Sequence, residues 1–392
     1  MTQPAVLGSL SHILGLVASG QARSRTDIAR TTGLARSTVT NRVATLVADA
    51  LLVEHHIGPS SGGRPPVELR LNADAGLMLG ADIGATHLRV AVADLSGAVL
   101  AEHSSDLLIA TGPEVVMPRV IDVMLELLTE VGRDPSDVRG LGIGVPGPVQ
   151  FRTGTVVRPP IMPGWDGVRL ADHLDPVFDA PVRVDNDVNL MALGEFGARR
   201  PAPRLLLFIR VGTGIGCGIV DDERVLRGVD GAAGDIGHIQ LPDAGEVLCS
   251  CGNTGCIEAV ASGSAMARQL TELGQPASSS ADVVALAQSG SAQAKQVVRQ
   301  ASVHIGSLVA TLVNCYNPST IVLGGPLAPL SDDLLAGIRA VVYQRATPLA
   351  TRSLVVEGSQ LDERAGVVGA LALVRDQLFS VEGLASLLHL PG

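Results

Sequence analysis

Leu79-Gly80-Ala81-Asp82-Ile83-Gly84-Ala85-Thr86-His87, running on into Leu88-Arg89-Val90-Ala91-Val92-Ala93-Asp94, reads as a strand, a glycine turn and a second, alternating strand. Two further stretches repeat the device. Val211-Gly212-Thr213-Gly214-Ile215-Gly216-Cys217-Gly218 is a glycine-rich turn between apolar strands. Ile321-Val322-Leu323-Gly324-Gly325-Pro326-Leu327 is another, after a helical stretch from about Ala292 to Tyr316. Two lobes made this way enclose a cleft, and glycine lets backbone N–H groups approach a phosphate or a sugar. One such turn is weak evidence, because glycine-rich βα turns occur in most α/β folds. Their order along the chain carries the weight.

Between the first and second turns lie Gly142-Ile143-Gly144-Val145-Pro146-Gly147-Pro148 and Val184-Asp185-Asn186-Asp187-Val188-Asn189. The first is a strand entering a tight turn. The second gathers carboxylates and amides at a strand end, a set suited to gripping hydroxyl groups. An isolated Asp-Asn-Asp is more often a solvated loop or a helix cap; its place in this order favours the cleft.

Gly234-Asp235-Ile236-Gly237-His238 and Cys249-Ser250-Cys251-Gly252-Asn253-Thr254-Gly255-Cys256-Ile257-Glu258 bring one histidine and three of the five cysteines into a short segment. One imidazole and three thiolates, His238, Cys249, Cys251 and Cys256, complete a tetrahedral zinc site with no open position for a catalytic water. The alternatives are cysteines packed in a core or joined as a disulfide, which the CxCxxxxC spacing beside glycines disfavours. A closed site shapes a loop and performs no chemistry.

At 392 residues the chain calls for two or three domains. Hydrophobic residues make up 46% and aromatics only 2%, with 45 glycines, which suits a turn-rich α/β protein. No apolar run is long enough for a bilayer, and the N-terminus lacks a signal-peptide pattern. Thiolates ready for zinc point to a reducing compartment, so a cytoplasmic location without membrane attachment is expected. The net charge of −10 is uneven. Through Ala75 seven arginines face five carboxylates, a balance of +2, which leaves the remainder at −12. An acidic body repels a polyanion, so any nucleic-acid contact belongs to the first segment.

That segment, Leu7 to Leu71, reads as three helices and a hairpin. Leu10, Ile13, Leu14 and Val17 mark the first helix, and Arg25 to Thr32 the second, closed by Gly33. The third begins near Ser37, with Val39, Val43, Leu46, Val47 and Ala50 expected inward and Ser37, Thr38, Asn41 and Arg42 on the opposite face. Two strand-like ends, Leu51–Glu54 and Val67–Leu71, flank a glycine-rich tip carrying Arg64. This is similar to a winged helix-turn-helix, whose wing places an arginine near a phosphate or in a minor groove. The alternative is a three-helix bundle that docks a protein. Arginine on both the helix face and the wing favours DNA. Arg36, Ser37, Thr38, Asn41, Arg42 and Arg64 are the candidate DNA contacts.

Taken together, the motifs resemble those of the ROK family of repressors, open reading frames and sugar kinases, over nearly the whole length. The resemblance implies an α/β fold: a two-lobed actin-like or sugar-kinase (ribonuclease H-like) body behind an N-terminal winged helix-turn-helix. The expected limits are 1–72 for the winged domain, 76–190 for the first lobe and 191–392 for the second. By motif, Asn186 and Asp187 match the sugar-binding pair, Asp187 standing at the position of the kinase general base. His238 matches a zinc ligand that also touches the sugar, Glu258 a hydroxyl-binding glutamate, and Gly147 the glycine of the Val-Pro-Gly loop. Asp235 stands where the family usually has Glu, and Ile161 where it often has Asn.

Kinases of the family usually read Asp-x-Gly-Gly-Thr-Lys at the first turn; here Ala85 and His87 replace the second glycine and the lysine. Pro326 takes the place of a third glycine and removes an N–H. These losses fall on the positioning and charge that phosphoryl transfer needs. The expected function is therefore a sugar-responsive DNA-binding repressor of carbohydrate metabolism genes with no catalytic residue in use. Its expected partners are a pseudo-palindromic double-stranded operator, a sugar or sugar phosphate, and a second copy of itself as a homodimer or tetramer. The alternatives are a hexose kinase and a zinc-stabilised sugar-binding protein without DNA targets. Leu384, Leu387 and Leu388 mark a terminal helix expected to pack on the body.

Overall fold

The computed structural model describes residues 3–56 and 67–388. The first helix, α1 (Gln3–Ala18), is followed by α2 (Arg25–Thr32) and α3 (Arg36–Ala48). Ser24 caps α2 by accepting from the Asp27 N–H, and Gly33 at φ 70° ends it in the left-handed conformation that a residue with Cβ avoids. Strands β1 (Leu52–His56) and β2 (Val67–Leu71) pair antiparallel, Leu52 opposite Leu71. This is the expected head. One feature differs from the sequence reading. Ala50 is exposed, because α3 has already ended and Ala50 itself turns at φ 54°. The wing tip with Arg64 lies outside the described residues.

The body contains two five-stranded sheets of the same topology. In the first, β3 (Leu77–Ile83), β4 (His87–Asp94) and β5 (Val99–Asp106) form an antiparallel meander. After helix α4 (Pro113–Glu130), β6 (Val138–Val145) and β7 (Val182–Asn186) add in parallel, giving the order β5-β4-β3-β6-β7. Helix α5 (Asp187–Ala198) leads into the second sheet. There β8 (Leu205–Val211), β9 (Ile215–Asp221) and β10 (Arg224–Val225) form the meander. The short α6 (Ile257–Ala261) and the long α7 (Ala292–Tyr316) precede parallel β11 (Thr320–Gly324); α8 (Ser331–Arg345) precedes β12 (Val355–Gly358). The order is β10-β9-β8-β11-β12.

Period-two alternation sorts each strand's faces. In β3, Leu77, Leu79, Ala81 and Ile83 join the core under α4, whereas Met78 joins a different core on the opposite face. That second core holds the last long helix, α9 (Ala365–Phe379), through Val367, Leu371, Val374 and Leu378. The helices exchange lobes. Helix α5 follows the first sheet yet packs on β8 and β9 of the second; α9 follows the second sheet yet packs on β3 and β6 of the first. The two helices lie against each other at backbone distance, because a Cβ on Gly369 would run into the Leu190 carbonyl and one on Gly194 into that of Ala365.

The head shares this core. Leu10, Ile13, Leu14, Ile28, Val43 and Leu69 are buried in one cluster with Met78, Ala91 and Ala93 of the first sheet and with α9. The terminal helix α10 (Val381–Leu387) packs on α1 through Leu384, and Ser11 donates to the Phe379 carbonyl at 2.6 Å. The segment expected as the second lobe thus sends its last two helices back to the first sheet and the head. Among the described residues, no helix is long and apolar enough to cross a membrane.

The glycine crossing generates a prediction. Gly369→Ala should lower unfolding stability by about 1–3 kcal/mol, the usual cost of overpacking a filled core. Chemical denaturation measures it; an unchanged midpoint would show that α5 and α9 can separate without loss.

Candidate sugar cleft and metal-ligand cluster

The cleft opens between the lobes where β7 gives way to α5. Asn186 ends the strand and caps the helix, its Oδ1 accepting from the Val188 N–H at 2.9 Å. Its Nδ2 donates to the Gly147 carbonyl at 3.2 Å, tying the Val-Pro-Gly loop to the helix start. Asn186 is thus a helix cap, and Asn186 and Asp187 also line the cleft. Asp185 Oδ1 accepts from Asn189 Nδ2 at 2.9 Å, and its Oδ2 pairs with Arg227 Nε at 2.7 Å. The Arg227 guanidinium lies 3.7 Å from the centroid of Phe151.

Every residue expected at the sugar, Gly147, Asn186, Asp187, Asp235, His238 and Glu258, lines one cavity of about 220 Å³. That is smaller than the roughly 300–1,000 Å³ of drug-sized sites and suits a single sugar ring. Ala85 and Ile161 line it too. Glu258 sits in the first turn of α6, where its Oε2 accepts from the Ile215 N–H at 3.1 Å and pins the second glycine turn. Gly234, at φ 94°, passes so close to the Cys217 carbonyl that no Cβ fits.

His238, Cys249, Cys251 and Cys256 offer ligand atoms that all lie within 4.8 Å of one another. Cys249 Sγ is 3.5 Å from His238 Nδ1, and the sulfurs of Cys251 and Cys256 are 3.7 Å apart. A tetrahedron with zinc–sulfur bonds of about 2.3 Å has edges of about 3.8 Å, slightly shorter for the imidazole edge. The set fits a metal ion, and the free thiols exclude the disulfide alternative. With Nδ1 facing the thiols, Nε2 of His238 is left to the cleft.

The cleft floor is charged. Asp187, at the head of α5, is buried; removal from water pushes its carboxyl up to about 6, opposed by nearby Arg210. Arg210 Nε lies 3.8 Å from Asp187 Oδ2. Asp82, fully buried, faces His87 Nε2 at 3.4 Å and raises the imidazole's affinity for a proton. Arg210 and Arg227 escaped the sequence reading. For Arg210 a signal existed: it is the one charge in the apolar run Leu205-Leu206-Leu207-Phe208-Ile209-Arg210-Val211.

In the head, Arg36, Ser37 and Asn41 are exposed on α3, whereas Thr38 and Arg42 are half-buried. Arg42 Nε donates to Ser9 on α1 at 3.0 Å. Other arginines of the head pair locally, Arg25 with Glu54 and Arg70 with Glu68.

Comparison with known proteins gives this geometry its family. The model described as "ROK family" matches residues 78–377, three-quarters of the chain. The chain belongs to the ROK family. Residues 10–55, spanning α1 to β1, match the IclR helix-turn-helix domain. A xylose repressor from Caldicellulosiruptor bescii is 30% identical over 383 residues, covering 94% of this chain and 95% of the relative. A glucokinase from Halalkalibacterium halodurans is 33% identical over 320 residues, covering 78% and 96%. The crystal structure of a ROK family transcriptional regulator, a homologue of the Escherichia coli Mlc protein, superposes with a TM-score of 0.84 at 27% identity. That match covers 99% of this chain and all of the other. The repressors match head and body together; the kinase matches the body.

The buried carboxyl of Asp187 predicts a pH effect. Its folded pKa of about 6 lies above the ordinary 3.8, so the folded state holds this proton more tightly than the unfolded chain. Its contribution to stability is fully present below about 4 and is lost as pH rises to about 6, a swing of about 3 kcal/mol. Unfolding free energies of wild type and Asp187→Asn between pH 4 and 6.5 should diverge by that order. Parallel profiles would show that Asp187 is not the titrating group.

Proposed function

We propose that this protein is a sugar-responsive transcriptional repressor of carbohydrate metabolism genes. Its head binds a double-stranded operator, and a sugar in the cleft alters that binding. The observation that carries this reading is the convergence of all six sugar-matching residues on one cleft, in a body whose helix α9 ends in the core of the helix-turn-helix head. The full-length similarity to a xylose repressor supports it, and xylose is accordingly the first sugar to test. Residues 1–72 read DNA, and 76–190 with 191–392 enclose the sugar. A ligand shifts an equilibrium only by its different affinity for two states, so cleft closure must change how two heads are placed on DNA. A cytoplasmic homodimer on a pseudo-palindromic operator meets that requirement.

Phosphotransfer is not part of this function. The methyl group of Ala85 and the imidazole of His87 stand at the first turn, and Pro326 packs against Gly212 at the other side, a Cβ there meeting its Cδ at 3.0 Å. Asp187 retains a hydroxyl-gripping role.

A mobility-shift assay on the gene's own upstream region, with and without xylose and other sugars, tests the reading. Arg36→Ala and Asn41→Ala should each weaken the complex, with Arg42 and Arg64 as further contacts. The loss of Asn41 should also relax base preference by roughly 1–3 kcal/mol at one position. The wild-type complex should weaken steeply with salt as counterions return to the phosphates. Unchanged affinity in both variants would remove α3 from the interface.

Zinc is the metal we assign to His238, Cys249, Cys251 and Cys256. Elemental analysis of protein purified without chelator should give one zinc per chain. Cys251→Ala should lose it and blunt the sugar response, because the same loop carries Glu258, while the head stays folded. Metal-free wild type with a full sugar response would refute a role for the ion.

A further inference from the structure

Beyond the hydroxyl-gripping set, Arg210 lines the cleft, and Asp82 and His87 lie behind the lining within electrostatic reach of Asp187. The topology explains how they meet. Strands β3 and β8 open the two equivalent sheets, and Asp82 and Arg210 are each the sixth residue of their strand. Each therefore lies on the inner face, Arg210 in the row of Leu206 and Phe208 against α5 and Asp82 in the row of Met78 against α9. Asp187 stands between them. Of the five buried side-chain polar atoms without a hydrogen-bond partner among the described residues, three belong here: Asp82 Oδ1, Asp187 Oδ2 and Arg210 Nε.

Arg210 also has room made for it. Its cross-strand neighbours are both glycines, Gly216 and Gly324. Its guanidinium lies against the second glycine turn, where a Cβ on Gly212 would meet Nη1 at 3.3 Å, and its stem lies against the third, where one on Gly325 would meet Cγ at 3.2 Å. A permanent cation thus occupies the ground between the second and third glycine turns.

We infer that Arg210 makes this cleft specific for sugars with a free hydroxyl, and not a phosphate ester, at the end facing Asp187. The inference rests on the cleft being the sugar site. The guanidinium offsets the Asp187 carboxylate, and His87, whose affinity for a proton is raised, faces that of Asp82. A neutral hydroxyl adds no charge to that balance and can both donate and accept. A phosphate dianion would meet two buried carboxylates where solvent screening is weak, with the nearest cation already engaged and the space beside the glycine turns filled.

Calorimetric titration of the full-length protein with xylose, glucose and N-acetylglucosamine, each beside its terminal phosphate ester, decides the matter. At least one free sugar should bind, with its ester at least a hundredfold weaker. In Arg210→Met the free sugar should bind at least tenfold more weakly, with partial recovery in Arg210→Lys. Tighter binding of an ester than of its free sugar, lost in Arg210→Met, would overturn the inference and leave the sugar cleft standing. Failure of all six compounds to bind protein that still shifts its operator would overturn the sugar-cleft reading and this inference with it. The wild-type comparison is decisive even if the variants do not fold.

Discussion

The backbone-close crossing of α5 and α9 is the contact on which the other parts depend. Each helix belongs by sequence to one sheet and by packing to the other, so neither lobe closes its inner face alone. Gly194 and Gly369 allow the approach, and the carbonyls of Leu190 and Ala365 fill the space a side chain would take. At one end of the pair, Asp187 opens α5 beside Asp82 and Gly366 of α9. At the other end, α9 runs into the core it shares with α1. A single buried element therefore touches both the Asp82 carboxylate behind the cleft and the helix-turn-helix head.

The two ends of the cleft have diverged in chemistry. The end proposed to grip hydroxyls has its amide, carboxylates and thiol cluster in place. The end that would hold a phosphoryl donor has a methyl group, an imidazole, a proline ring and a buried guanidinium in place of open backbone. Under the proposed function, the loss of several phosphate contacts at one end, with the other end in place, turns a kinase cleft into a receptor. The local hydrogen bonds agree, since Asn186 braces the Gly147 loop and Glu258 braces the second glycine turn.

Much of this was readable along the chain. The glycine turns, the Asn186-Asp187 junction and the His238–Cys256 cluster are local signals, each contained within a few residues whose types dictate their geometry. The head was equally clear, because Gly33 and the apolar spacing of α1 and α3 are signals of the same short range. What sequence concealed depends on contacts between distant segments. The exchange of α5 and α9 leaves no mark in periodicity, since a helix buried on both sides reads alike whichever sheet it covers. Arg210 was hidden because its partner, Asp187, is remote in sequence, and a lone charge in an apolar strand has no local explanation. Ala50 was misplaced by continuing a helical period past the point where the backbone had already turned.

The shared core of head and body bears on how such proteins can be recombined. A splice at the wing, near residue 72, would seem the natural place to graft this head onto another sensor. It would strip Leu10, Ile13 and Leu14 of the Met78, Ala91 and α9 side chains that cover them, exposing apolar surface on both fragments. A workable chimaera must carry α9, α10 and the first sheet with the head, and exchange only the second lobe. Within this chain, the unit that can be exchanged without uncovering that core is therefore the second lobe.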